Sequence, residues 1–342
     1  MVIEEAIAKV AARKSLSREE AAGAMEQIMA GEVTGAQFGA LMMGLHLKGE
    51  TVDEIAGFAS VMRDRAVPVN AGESLLDTCG TGGDRSESFN ISTTSAFVVA
   101  AAGARVAKHG NRGMSSQCGS ADVLEALGVN VGLGAEGVER TIRETGIGFM
   151  FAPMFHPAMK HAVGPRREMK VRTVFNILGP LTNPAHARHQ LLGVADGKVA
   201  AKMVEVLREL GSVHALVVHG EDGLDEITLN GPSRVYELKN EQIRSYEIAP
   251  EQFGLSRAPR EALKGGDKAT NAAITRAVLQ GEPGPKRDVV LLNAAAALVA
   301  ADLAGDISEG IQIAKLALDD GAGMAKLESL VQCSREAETL PV

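Results

Sequence analysis

The chain has no tryptophan, two tyrosines and nine phenylalanines among its 342 residues, so aromatics make up only 3% of it. A single-stranded nucleic-acid platform built on base stacking is poorly supplied by such a composition. Cysteine is scarce as well. Cys79, Cys118 and Cys333 are far apart, odd in number and form no CxxC pair. Neither a disulfide framework nor a zinc site is indicated, and reduced thiols in the cytoplasm are the simple reading. No apolar run is long. The longest, 289–301, contains Asn293 and falls short of the ~18–20 residues that span a bilayer. It reads as a buried, alanine-rich core helix. The start, Met1-Val2-Ile3-Glu4-Glu5, lacks the basic and apolar stretches of a signal peptide. Positive charge is also in deficit: 35 basic against 43 acidic residues give a net −8. That is a poor global match for a polyanion, although a local cluster can still hold a small anion.

Glycine, by contrast, is abundant, with 38 residues. Hydrophobic residues at 45% and charged residues at 23% describe an ordinary globular protein of one or two domains. Residues 1–66 read as a bundle of short helices. Ser17 with Glu20, Thr34 with Gln37, and Thr51 with Glu54 have capping-box spacing, and Gly31 and Gly49 sit where helices stop. Phe38, Leu41, Met42 and Leu45 recur at helical spacing. After Pro68 the pattern becomes strand, loop, helix, strand, as in an α/β domain. Strands are expected at 75–76, 105–108, 129–131, 149–151, 190–194 and 215–218, with two more over 226–238 around Asn230-Gly231-Pro232. Helices are expected at 92–102, 120–127 and 198–210, and over most of the tail from 270, where Asp306 and Glu309 form another capping pair. Residues 156–185 look irregular and basic, and 240–268 look like polar surface.

Four segments carry the chemistry. Asp77-Thr78-Cys79-Gly80-Thr81-Gly82-Gly83-Asp84 ends a strand in a glycine-rich turn whose N–H groups can form an anion-binding nest. Asn90-Ile91-Ser92-Thr93 follows at a helix start, where free N–H groups and the positive dipole end suit a phosphate. The spacing matches neither the Walker A loop nor GxGxxG, and read alone the segment is a tight βα turn. Lys108-His109-Gly110-Asn111-Arg112-Gly113-Met114-Ser115-Ser116, leading to Ser120, places two fixed cations and several hydroxyls just after a second strand. In a parallel sheet both loops open on the same side, which favours a ligand over two unrelated turns. The pair Asp225-Glu226 is either solvated or, beside a phosphate, a Mg²⁺ site. The basic run around Arg166 suits a carboxylate or phosphate, or is a solvated helix face. The histidines, among them His156, His161, His186 and His189, show no metal-ligand or triad spacing.

Together these motifs resemble the anthranilate phosphoribosyltransferases of tryptophan biosynthesis. The matching pieces are Gly80-Thr81-Gly82-Gly83-Asp84, Phe89-Asn90-Ile91-Ser92-Thr93, Lys108-His109-Gly110-Asn111-Arg112, the stretch Gly119 to Gly128, and Arg172 to Pro184. The resemblance covers essentially the whole chain. Its departures are mild: Ser88 for a common Thr, Gly113-Met114 for Ala-Val, and Cys118 for Ser. It implies an α/β fold: a small discontinuous helical domain (1–66 and 165–185) and a larger α/β domain (67–164 and 186–342) with a central, mainly parallel sheet flanked by helices.

The resemblance further implies that 5-phosphoribosyl 1-diphosphate (PRPP) lies on Gly80, Gly82, Gly83, Asp84, Ser88, Asn90, Ile91, Ser92, Thr93, Lys108, His109 and Ser120, and on the loop Gly110, Asn111, Arg112, Gly113, Met114, Ser115 and Ser116. Anthranilate would meet Gly80, Asn111 and Arg166, and one or two Mg²⁺ per subunit would be held by Ser92, Asp225 and Glu226. Lys108, Asn111 and Arg166 would position the reactants and stabilise charge, with no general base assigned. The resemblance also implies a cytoplasmic homodimer that binds neither nucleic acid nor membrane. A pyrimidine nucleoside phosphorylase and a nucleic-acid-binding relative of the same fold are the competing readings.

Overall fold

A computed structural model describes residues 2–113 and 116–338. Four helices open the chain: α1 (Ile3–Ala11), α2 (Arg18–Ala30), α3 (Gly35–Lys48) and α4 (Val52–Asp64). The last three begin on the expected capping boxes, with Ser17, Thr34 and Thr51 as caps. Each cap satisfies backbone donors that the helix start leaves orphaned, for about 1 kcal/mol. Glu54 does more than cap. It is fully buried, accepts from the Leu16 N–H at 2.9 Å and pairs with Lys48 at 2.9 Å, tying the α1–α2 connection to α4.

The chain then alternates: β1 (Leu75–Gly80), α5 (Ile91–Ala101), β2 (Arg105–Gly110), α6 (Ser120–Leu127), α7 (Ala135–Thr145) and β3 (Ile147–Phe151). Three short helices follow, α8 (Ala152–Phe155), α9 (Lys160–Met169) and α10 (Phe175–Leu178). The sheet resumes with β4 (His189–Gly193), α11 (Gly197–Glu209), β5 (His214–Gly220), β6 (Ser233–Lys239) and β7 (Gln242–Ile248). The chain closes with α12 (Lys268–Leu279), α13 (Pro285–Ala300), α14 (Ile307–Asp319) and α15 (Ala322–Glu338). Among the described residues no helix is long and apolar enough to cross a membrane.

The seven strands lie in the order β3-β2-β1-β4-β5-β6-β7. The first five are parallel, and β6 and β7 are antiparallel additions. Connections run outward in both directions from β1 and β4, so the order reverses between these two strands. Such a reversal opens a crevice beyond the carboxyl ends of the strands, where α/β proteins bind ligands. Here it falls between Gly80 and Gly193, which face each other in register. The core is aliphatic, as the composition requires. α13 is buried continuously from Val289 to Ala300 and packs on α5, α14 and the central strands.

The basic stretch after β3 folds back onto the N-terminal helices. α9 packs on α2 and α3, and α10 on α4. Val174, Phe175 and Leu178 share the core of the bundle, with the Phe38 and Phe175 rings stacked at 5.6 Å. The stretch is irregular as expected, except that α9 runs through Pro165, which sits inside it. Three other expectations are corrected. Residues 129–131 are a turn rather than a strand, with Val129 and Val131 buried as an apolar plug. Residues 226–232 are a buried loop; the hairpin is β6–β7, turning at Asn240-Glu241. The polar stretch 240–268 therefore contains an edge strand, whose exposed Gln242, Arg244 and Glu247 blunt it against further pairing.

Candidate active site

The crevice is built from the first glycine loop. The β1–β4 ladder continues one residue past Gly80, with the Thr81 N–H donating to the Gly193 carbonyl at 2.9 Å. Gly82 and Gly83 then both adopt left-handed backbone, φ +68° and +75°. Glycine adopts both values without strain, so the chain turns sharply beyond the strand end and leaves bare backbone there for a ligand. Arg85 and Glu87 also have positive φ, 56° and 55°. Such strain persists only where the surroundings enforce it. Here a distant segment enforces it: Phe89 N–H donates to Leu263 O at 3.0 Å, and Gly265 N–H to Glu87 O at 2.9 Å.

Asp225 and Glu226 come to this loop from a distant part of the chain. Asp225 lies on the ends of β1 and β4 so closely that a Cβ on Gly193 would collide with its carbonyl oxygen. Its carboxylate accepts the Gly82 N–H at 2.7 Å. Glu226 accepts the N–H of Ser92, in the first turn of α5, at 3.1 Å. Both carboxyls are held well above the usual range, first by burial and then by neighbouring acids, Asp84 beside Asp225 and Asp225 beside Glu226. Asp84 keeps one buried carboxylate oxygen without a partner.

Lys108, from the end of β2, is 3% exposed. Its ammonium donates to the Thr78 carbonyl and lies 3.4 Å from Ser92 Oγ, so a buried cation faces the start of α5. Asn90, at the start of α5, bonds sideways: its amide donates to Cys118 O at 3.2 Å, and its oxygen accepts from Asn271 at 2.9 Å. Ser120 Oγ donates to Asn111 O at 3.3 Å, folding the second loop onto α6. Asn111 itself is exposed at this loop.

Other residues of the expected set stand differently. Ile91 and Thr93 are buried, so their side chains support α5. Ser88 pairs with Ser86 Oγ at 3.0 Å. Arg112 is turned away onto Asp122 at 3.0 Å and Glu125 at 2.6 Å, and covers the Phe151 ring. Gly113 donates to Asp122 at 2.9 Å, and Ser116 is exposed. Met114 and Ser115 lie outside the described residues. His109 is buried against His156, ring centroids 5.0 Å apart. Burial pushes His109 down to about 3 and His156 to about 4, so the pair is neutral at pH 7. Arg166, on α9, is half-buried over the Phe175 ring at 5.1 Å. Burial lowers its pKa, and among the described residues no carboxylate pairs with it.

Known proteins match this arrangement along most of its length. The helical bundle domain of the glycosyl transferase family matches residues 4–66, and its α/β domain residues 72–324. The chain is 58% identical to the anthranilate phosphoribosyltransferase of Chloroflexus aggregans, over 98% of this chain and 99% of that one. The chain belongs to the anthranilate phosphoribosyltransferase family. The crystal structure of the family member from Thermus thermophilus, 46% identical, superposes with a TM-score of 0.92 over 96% of this chain and 99% of that one. The Saccharomyces cerevisiae enzyme, solved in complex with PRPP and Mg, shares the fold at 24% identity, with a TM-score of 0.89 over 98% of both chains. These matches favour neither the nucleoside phosphorylase nor the nucleic-acid-binding reading.

Within this family fold, two supports escaped the sequence reading. Asn293, the polar break in the buried helix α13, clamps the residue after Glu226. It accepts from Ile227 N–H and donates to Ile227 O, both at 2.9 Å. Its signal was visible as a lone amide in an apolar run. Arg172 reaches the Gly83 carbonyl at 3.2 Å, and only its place in a matching motif hinted at a role.

Proposed function

We propose that this chain transfers the phosphoribosyl group of PRPP to the amino group of anthranilate, giving N-(5-phosphoribosyl)anthranilate and diphosphate, at the β1–β4 crevice. The observation that carries the reading is one convergence: a glycine loop, a helix start, a buried lysine and two carboxylates at a single switch point. The loop and the α5 start would take the diphosphate, with Gly80, Gly82, Gly83, Asn90 and Ser92 nearest the strand ends. Lys108 would neutralise charge that builds on the leaving diphosphate. Arg166 would hold the anthranilate carboxylate, and Asn111 would help orient it.

The donor set also fits Mg²⁺. Glu226 is buried and Asp225 half-buried, the two carboxyls repel each other, and Asp84 offers an unpartnered oxygen near them. Mg²⁺ is typically held by one or two carboxylates together with substrate phosphates, and Ser92 Oγ adds a hydroxyl. Bound there, Mg²⁺ would supply charge neutralisation to the diphosphate. One or two ions per subunit suit this donor set.

In the reaction the amine lone pair forms the bond to C1′ while the C1′–oxygen bond breaks, with inversion. An aromatic amine is neutral at pH 7, so no group need deprotonate it first; its proton leaves after the bond has formed. The protein's part is positioning and electrostatics. The same reading assigns 165–185 to the helical domain, makes the protein a homodimer and places it in the cytoplasm. Loss of anthranilate fluorescence, dependent on both PRPP and Mg²⁺, tests the activity. No turnover across metal and substrate concentrations would reject it.

A further inference from the structure

Arg172 belongs to the helical side of the crevice, yet its guanidinium lies on the glycine loop of the sheet side. Its backbone is held by its neighbours. Thr173 N–H donates to Asn176 Oδ1 at 2.9 Å, and Val174 and Phe175 are buried in the bundle core. From that base Nη1 donates to the Gly83 carbonyl at 3.2 Å, across 89 residues of chain. The two groups are in close contact: a Cβ on Gly83 would collide with Nη1 and stand 3.0 Å from Cζ. Gly83 has φ +75°, so its peptide has an orientation few other residues would keep. No salt bridge holds Arg172 elsewhere among the described residues, and the side chain is exposed at the mouth of the loop.

We propose that Arg172 is a positioning residue for PRPP. It would act by fixing the peptide that joins Gly83 to Asp84. That peptide is trans and planar, so its C=O and N–H point in opposite directions. A guanidinium that draws the Gly83 carbonyl outward turns the Asp84 N–H to the opposite side, into the loop that receives the diphosphate. Because Arg172 is anchored to the bundle, the same contact links the helical side to the diphosphate loop. The inference rests on the proposed phosphoribosyl transfer for its substrate, but not on turnover for its test.

The experiment compares Arg172→Met, which keeps the aliphatic stem and loses the donors, with Arg172→Lys, which keeps one. Affinity for Mg²⁺–PRPP is read by calorimetry, KM values by anthranilate fluorescence, and folding by thermal melting. Arg172→Met should weaken PRPP affinity and raise its KM about three- to tenfold, the effect of one partly exposed charged hydrogen bond. The anthranilate KM should move by less than about twofold. Arg172→Lys should recover most of the loss. In a cycle with Gly83→Ala, the two effects should combine less than multiplicatively. A folded Arg172→Met protein with unchanged PRPP affinity would overturn the proposal, as would a lysine variant no better than methionine. A wild-type chain that binds PRPP but leaves anthranilate unconsumed would reject the activity, while the affinities would still decide the role of Arg172.

Discussion

Ser92 donates its backbone N–H to the Glu226 carboxylate at 3.1 Å. The α5 start, which suits a phosphate, is thus held by an acid of the chain itself. Gly82 and Asp225 repeat the arrangement in the glycine loop, at 2.7 Å. A diphosphate would have to take these donors from the two carboxylates, and a metal ion is what would draw the carboxylates off them. Glu226→Gln separates the two effects. It should raise metal-free affinity for inorganic diphosphate at alkaline pH, where the raised Glu226 carboxyl carries a facing negative charge that glutamine removes. It should also weaken Mg²⁺-supported turnover about 10–100-fold, the range for loss of a supporting group at a metal site. Calorimetry with and without chelator, beside the fluorescence assay, reads both. If the two quantities fall together, the exchange is wrong.

Asn293 is a support for the same pair. Asn293→Leu leaves the Ile227 N–H and C=O buried and unpaired. The expected cost is about 2–4 kcal/mol, measured by denaturant unfolding. The Mg²⁺ concentration for half-maximal activity should rise as well. A stability loss without that rise would make Asn293 part of the core and nothing more.

Arg166 is a half-buried cation without an acidic partner among the described residues. If it holds the anthranilate carboxylate, Arg166→Ala should raise the anthranilate KM about tenfold or more. The KM for PRPP should change little. An unchanged anthranilate KM would remove Arg166 from the site.

Glu237, on β6, should contribute to acid stability. Burial would raise its pKa, but His214, Tyr246 and Arg244 all donate to it and hold it at about 2, against an ordinary 4.5. A carboxylate with a lowered folded pKa contributes stability that is fully present above its unfolded value and is lost as pH falls through the folded one. The wild type should therefore lose stability between about pH 4.5 and 2. Glu237→Ala should remove that part of the acid transition. At neutral pH it should cost about 3 kcal/mol, because His214 and Tyr246 lose a buried partner. Denaturant midpoints across this pH range provide the check.

Local physics made much of this molecule legible from its residues. Ser17, Thr34 and Thr51 announced three helix starts because a capping box is complete within four residues. The glycine loops at 80–83 and 110–113 showed where bare backbone was needed. Buried loops misled, however. Val129 and Val131, like Ile227 and Leu229, are apolar residues of loops that fill the core, and their alternation alone does not separate that from a strand. β7 was hidden for the opposite reason, since its exposed side chains are those of a sheet edge. Pro165 masked α9 in the same way, as a residue that ordinarily ends a helix.

The sequence by itself determined the capped helices and most of the parallel strands, the loops that can receive an anion and, through its ordered motifs, the family. Short-range bonding and turn chemistry act over a few residues, so they can be read in a line. Only the tertiary structure decided that Glu226 faces Ser92, that Asp225 packs on Gly80 and Gly193, that Asn293 clamps Ile227 and that Arg172 lies on Gly83. Each of these pairs is separated by tens of residues or more. Each is joined by sheet order and helix packing, and therefore by the burial of the whole core rather than by any local rule.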